Sequence, residues 1–141
     1  MFLLLPLYTS LLLKLAIATF LLSGTFNNSA IAQIQLSSEF DPDPYPVTGT
    51  SGGEQYSQDC GYISGLPNFT VTLNEEFSNL RLFVESEADV TLLVETPSER
   101  LCSDDVSERM PELSGRWVPG EYYIWVGDWG NSGDFTLYFD R

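Results

Sequence analysis

Carboxylates are the most numerous side chains of this sequence that can do chemistry. Asp and Glu number 20, Lys and Arg number 6 and histidine is absent, which gives a formal net charge of −14 at pH 7. All of the acidic residues lie at Glu39 or later. Clustered carboxylates bind calcium, and a suitably spaced pair of them hydrolyses glycosides. The acidic residues are therefore the first candidates for a functional site.

The residue types that are missing exclude nucleophilic catalysis. A catalytic serine or cysteine needs a general base, but histidine is absent and the only lysine, Lys14, lies in the apolar N-terminal segment, so only carboxylates remain for that role. A glycosidase would need only two carboxylates, and the candidates are Asp89, Asp104, Asp105, Asp128 and Asp134. With 20 acidic residues some pair reaches a suitable separation by chance, and so short a chain has little room for a substrate cleft. We expect no enzyme, with a small glycosidase as the unfavoured alternative.

A short acidic loop holds the best candidate metal ligands. Asp104 and Asp105 follow Cys102 and Ser103, and Asp89 begins a predicted strand. Calcium binds clustered carboxylate and carbonyl oxygens, so these three aspartates are candidate calcium ligands. The alternative is a solvated turn, because the spacing of an EF-hand is absent. Calcium is the one cofactor that we consider.

The first residues predict export. Residues 2–24 are almost wholly apolar with Lys14 as their only charge, and Ala30, Ile31 and Ala32 form a small-x-small cleavage pattern. We expect a signal peptide over residues 1–32, a flexible Pro/Gly/Ser-rich linker over 33–57 and one domain over 58–141. Cleavage after Ala32 predicts a secreted or periplasmic protein without stable membrane insertion. The alternative is an uncleaved membrane anchor.

The two cysteines, Cys60 and Cys102, predict a disulfide. An even pair in an exported chain is most simply oxidised. A metal or redox pair is disfavoured, because the sequence has no CxxC motif and no histidine.

Alternating apolar and polar residues predict an all-β fold. Period-two alternation suits half-buried strands, and turn-forming Gly, Pro, Asn and Asp separate the segments. We expect a single antiparallel β-sandwich of the jelly-roll type. The apolar positions are Phe69, Val71 and Leu73; Leu80, Leu82 and Val84; Val90, Leu92 and Val94; Tyr122, Ile124 and Val126; and Phe135, Leu137 and Phe139.

The same alternation predicts an exposed aromatic face. If Tyr122, Ile124 and Val126 point inward, Tyr123 and Trp125 point outward. The same alternation predicts that Phe83 and Tyr138 point outward, and Trp117 and Trp129 are expected in loops. These rings could stack on sugars or pack on a partner protein. The alternative is that they pair across strands and only stabilise the sheet.

Four segments taken in order resemble bacterial pre-peptidase C-terminal domains. They are residues 89–94 (DVTLLV), 102–105 (CSDD), 119–126 (PGEYYIWV) and 133–137 (GDFTL). The resemblance implies a non-catalytic, jelly-roll-like domain of the kind appended to secreted hydrolases, where it assists secretion, stability or attachment to polymers. Collagen-binding modules with a related fold bind calcium, so the resemblance also implies that the acidic loop is a candidate calcium site.

The leading hypothesis is a secreted, non-catalytic binding module that holds an extracellular polymer such as a polysaccharide through its aromatic face. The alternative is a protein-interaction or stabilising domain that binds an envelope protein. The strong negative charge repels nucleic acid and anionic lipid headgroups, so neither is an expected partner.

Overall fold

The alternating segments form strands, and the strands form two sheets that face each other. The computed structural model describes residues 31–107 and 110–141. Within those residues there are twelve strands and no helix, so none that could cross a membrane. The strands are β1 (Ala32–Leu36), β2 (Tyr45–Thr50), β3 (Gln55–Ser57), β4 (Gly61–Ile63), β5 (Phe69–Leu73), β6 (Phe77–Ser86), β7 (Val90–Glu95), β8 (Arg100–Ser103), β9 (Asp105–Ser107), β10 (Met110–Trp117), β11 (Gly120–Asp128) and β12 (Asp134–Asp140).

The first sheet has seven strands and the second has five. The first runs β1-β5-β11-β4-β3, with β7 pairing β11 and β8 pairing β7, and the second runs β2-β12-β6-β10-β9. Every pairing between the described strands is antiparallel except that of β1 with β5. This arrangement confirms the predicted all-β sandwich.

The core lies between the sheets and is built from the predicted inward positions. Leu82, Val84, Leu92, Val126 and Leu137 are at most 1% exposed. Removal of such side chains from water supplies most of the stability of a domain this small. The five predicted strands correspond to β5, β6, β7, β11 and β12.

The segment 33–57 is not a flexible linker, and this part of the sequence prediction was wrong. It contributes β1, β2 and β3 to the two sheets. In β1, Ile34 and Leu36 are buried in the main core, and β2 pairs with β12 along six residues. Pro46 is tolerated in β2 because β2 is an edge strand, where one side pairs with no neighbour.

The predicted signal peptide lies almost wholly outside the described residues. The expected cleavage point, after Ala32, falls at the first residue of β1. Cleavage there leaves the two buried residues of β1 in place.

Candidate functional site

The three aspartates expected to bind calcium lie together at one end of the sandwich. Asp89 precedes β7, and Asp104 and Asp105 lie where β8 meets β9. Because β7 and β8 are antiparallel, with Leu92 opposite Ser103, the start of β7 lies beside the end of β8. One carboxylate oxygen from each aspartate lies within 4.8 Å of the other two. We call these three residues the acidic trio.

The two oxygens of the Asp104 carboxylate lie in different environments. Its Oδ2 accepts a hydrogen bond from Trp129 Nε1 at 3.1 Å. Its Oδ1 is shielded from solvent and has no hydrogen-bond partner. A shielded carboxylate oxygen without a partner is costly, and a cation would remove that cost.

Three exposed aromatic rings lie at the same end. Tyr56 on β3 and Tyr62 on β4 are cross-strand partners, and their ring centroids are 5.1 Å apart. Tyr62 is also opposite Asp128 at the end of β11, and Trp129 follows directly. The exposed fractions are 60% for Tyr56, 39% for Tyr62 and 41% for Trp129. We call these three residues the aromatic patch.

Gly61 allows Trp129 to lie against β4. Gly61 has a φ of +69°, and a Cβ there would lie 3.3 Å from the Trp129 ring and 2.3 Å from the carbonyl oxygen of Asp128. Any other residue would therefore displace the indole or the strand. The indole is thus fixed on one side by β4 and on the other by Asp104.

Asp128 fixes the loop that carries Trp129. It is only 2% exposed, and its two oxygens accept hydrogen bonds from Ser51 Oγ at 3.1 Å and from the backbone N–H of Gly130 at 2.9 Å. Ser51 Oγ in turn accepts a bond from the N–H of Gly133 at 3.0 Å. With both oxygens bonded and the residue buried, Asp128 serves structure, although the sequence had placed it among the candidate catalytic acids.

An open depression of about 590 Å³ lies between the β2–β3 loop and the β11–β12 loop, beside Tyr62 and Trp129 of the aromatic patch. Its lining is mainly small and polar. The lining residues are Ser51, Gly52, Gly53, Tyr62, Asp128, Trp129, Gly130 and Ser132.

The structure does not bring together the four aromatic residues predicted from alternation. Tyr123 and Trp125 lie on the first sheet, whereas Phe83 and Tyr138 lie on the outer side of the second. Phe83 and Tyr138 stack on each other at 4.8 Å, and the Arg81 guanidinium lies 4.2 Å above the Phe83 ring. The expectation of one continuous aromatic face is therefore corrected.

Trp125 points outward from the main core, as predicted, but it is not exposed. It is 9% exposed and packs with Cys60, Ile63 and Leu93 in a second, smaller apolar cluster, against which Cys102 is half-buried. The strand β4 and the disulfide cover it. Of the four predicted rings only Tyr123, at 38%, is well exposed.

The predicted disulfide is present between Cys60 and Cys102. It joins the residue before β4 to β8, so it links the strand that carries Tyr62 to the strand that leads to Asp104. Disulfides are typical of proteins that fold in oxidising compartments, which supports an exported location.

The Asp59–Arg100 ion pair, beside the disulfide, makes the free energy of unfolding depend on pH. Arg100 Nη2 lies 3.1 Å from Asp59 Oδ1, and hydrogen bonds from Arg100 and then Ser57 lower the pKa of Asp59 from 3.8 to about 2. A lowered carboxyl pKa stabilises the folded state above about pH 4, and this contribution is lost as the pH falls towards 2.

We expect Asp59→Asn to reduce the free energy of unfolding by about 0.2–1 kcal/mol at pH 7, because the pair is exposed. The difference from the unmodified protein should shrink as the pH falls from about 4 and be lost as it passes below about 2. Urea denaturation at several pH values measures this. A difference that stays constant from pH 7 to pH 2 would show that the Asp59–Arg100 pair is not its source.

Sequence reasoning missed most of the aromatic patch. Tyr56 lies in the segment interpreted as a linker, and Tyr62 lies in a three-residue strand too short to show alternation. The sequence places Trp129 in a loop and gives no sign that it lies beside the two tyrosines. Its indole N–H bond to Asp104, 25 residues away, carries no local sequence signal.

Comparison with known sequences finds a partial relative whose name states no function. No family model matches the chain. An uncharacterized protein of Synechococcus elongatus is 42% identical over 86 residues, which cover 58% of this chain and 63% of that protein, somewhat less than two thirds of its length.

Several solved structures, including a collagenase domain and a lysozyme inhibitor, are similar to this chain. The pre-peptidase C-terminal domain of a Bacillus anthracis collagenase is 16% identical and covers 81% of this chain and 100% of its own, with a TM-score of 0.52. Aeromonas hydrophila PliG, a periplasmic inhibitor of g-type lysozyme, is 11% identical and covers 79% of this chain and 98% of its own, with a TM-score of 0.38. The similarity to the collagenase domain shows that the chain has the fold of a pre-peptidase C-terminal domain, as the sequence resemblance implied.

Proposed function

We propose that this domain is an exported, non-catalytic module that holds an extracellular polymer at the end of the sandwich where the acidic trio meets the aromatic patch. The hydrogen bond from Trp129 to Asp104 carries the proposal, because it joins the two groups into one site. The pre-peptidase C-terminal fold supports it, since the family resemblance implies an accessory role.

Calcium fits the acidic trio. Hard cations take carboxylate oxygens, and the trio offers three within 4.8 Å of one another. Oδ1 of Asp104 has no hydrogen-bond partner and is free to take part. When bound, calcium would offset the repulsion among the three negative charges. Asp89, Asp104 and Asp105 would hold it, and Asp104 would at the same time keep the indole of Trp129 in place.

We expect calcium to raise the Tm of the protein. Extracellular calcium modules have Kd values of about 10⁻⁴–10⁻³ M, so about 10 mM calcium contributes roughly 1.4–2.7 kcal/mol and raises Tm by roughly 5–10 °C. Asp105→Asn should abolish most of this rise. Thermal unfolding with calcium or with chelator is the measurement.

Glu99→Gln is the matched control, because it removes the same charge at the other end of β8. It should keep the calcium-dependent rise in Tm. An equal rise in all three proteins would assign the effect to general charge screening, and no rise in the unmodified protein would remove calcium from the proposal.

The polymer-binding role is tested by retention of the exported protein, produced from the full chain, on insoluble polysaccharides and on cell-envelope material. Calcium-dependent retention on a polysaccharide supports the proposed function. Retention only on envelope protein would support the alternative of a protein-interaction domain, and no retention on any material would reject a holding role.

A further inference from the structure

We propose that the aromatic patch is the contact for the polymer and that its ligand is an uncharged sugar, not an acidic polysaccharide. This inference rests on the proposed function and deepens it by naming the ligand class and the residues. The aromatic patch takes the place of the aromatic face expected from the sequence, whose residues lie on two different sheets.

The rings of the patch are exposed and also held in place. Tyr56 and Tyr62 contact each other across two paired strands, and Trp129 lies against Gly61 and donates its indole hydrogen bond to Asp104. Rings that are already ordered lose little conformational entropy when a ligand binds. Flat aromatic faces of this kind suit the apolar C–H faces of sugar rings.

The floor of the adjoining depression is suited to sugar hydroxyls. The exposed Ser132 hydroxyl and the exposed peptide group of Gly53 line it, whereas the Ser51 hydroxyl and the N–H groups of Gly52 and Gly130 are bonded within the protein. Such neutral donors and acceptors bind hydroxyl groups without requiring a charge on the ligand. The patch and the depression therefore offer the two kinds of contact that a sugar needs.

The charges around the patch disfavour an anionic ligand. The acidic trio and the exposed Glu54 lie at this end, and among the residues that the structure describes the neighbouring arginine is Arg100, which is ion-paired with Asp59 and Glu95. The other arginines whose side chains the structure describes are also paired with acids: Arg81, Arg116 and Arg141. A uronate or sulfate would therefore meet negative potential without a free cation among the described residues.

Retention on insoluble cellulose, chitin and cross-linked polygalacturonate, in saturating calcium, tests the inference with the exported protein. We expect retention on at least one uncharged polymer and none on polygalacturonate. Tyr62→Ala and Trp129→Ala should each weaken retention about tenfold or more, as loss of a central aromatic contact usually does. Tyr123→Ala is the matched control, because Tyr123 is similarly exposed but is not in the patch.

Trp129→Phe tests whether the ring itself binds the sugar. Phenylalanine keeps an aromatic ring at this position but cannot make the hydrogen bond to Asp104. It should retain more binding than Trp129→Ala, while urea denaturation confirms that every variant is folded. If the unmodified protein and both alanine variants are retained equally, the patch is not the contact; the holding role then stands, but not its proposed place at the patch. Preference for polygalacturonate overturns the ligand class, and absence of all retention overturns both proposals.

Discussion

Replacement of both Cys60 and Cys102 by alanine is expected to lower the free energy of unfolding by roughly 3–4 kcal/mol. The disulfide closes a loop with a sequence separation of 42, and in the chain-entropy model a loop of this size contributes about that much. Small domains are typically stable by only about 5–15 kcal/mol. The variant should therefore unfold at a much lower urea concentration, which a denaturation curve measures directly.

The control for this prediction is the unmodified protein in the presence of a reductant. Its urea midpoint should fall to nearly that of the double alanine variant, since both lack the same cross-link. A loss in free energy of unfolding below about 1 kcal/mol in both proteins would contradict the prediction, because the disulfide would then contribute little. A large loss in the variant alone would point to packing around Cys60, which is fully buried, as the cause.

Trp125→Ala is the second large change, with an expected loss of about 3–5 kcal/mol. Trp125 fills the small cluster formed with Cys60, Ile63 and Leu93, and truncation of a buried aromatic residue leaves a cavity that the surroundings only partly fill. Tyr123→Ala, two residues away on the same strand, should cost less than about 1 kcal/mol because Tyr123 is exposed. Urea denaturation of the two variants side by side is the measurement.

Trp125→Phe sharpens this test. The indole Nε1 of Trp125 is buried and has no hydrogen-bond partner, and a donor left in this state costs about 1–3 kcal/mol. Phenylalanine removes that donor and keeps most of the ring, so it should cost far less than alanine. Equal losses for Trp125→Ala and Tyr123→Ala would contradict the buried position of Trp125. Because Trp125 and the disulfide share one cluster, their effects should not simply add.

The parts of the fold that follow from local pattern were predictable. The alternation in Phe69–Leu73 identifies a strand before any partner is known, because period two is a property of the strand itself. The acidic trio was also predictable, since the β7–β8 hairpin is local and brings Asp89 beside Asp105. The same holds for the disulfide, which needs only two cysteines and an oxidising compartment.

Long-range pairing was not predictable. Alternation correctly turned Trp125 away from the main core, but it carries no information about what covers the outer side of a sheet. The cover comes from Ile63 on β4 and from the disulfide. In the same way Ile34 and Leu36 are too few to identify a strand, and only their pairing with Val71 and Leu73 makes β1 part of the first sheet.

The position of Pro46 on β2 also bears on how separate copies of the protein behave at high concentration. An open strand edge is a template on which a second chain can add and start aggregation. Here β2 carries a proline, which lacks an N–H, and β9, the opposite edge of the same sheet, is only three residues long. The high negative charge adds repulsion between molecules. The second sheet is thus poorly suited to growing by a further strand, which favours a protein whose copies stay dispersed at high concentration.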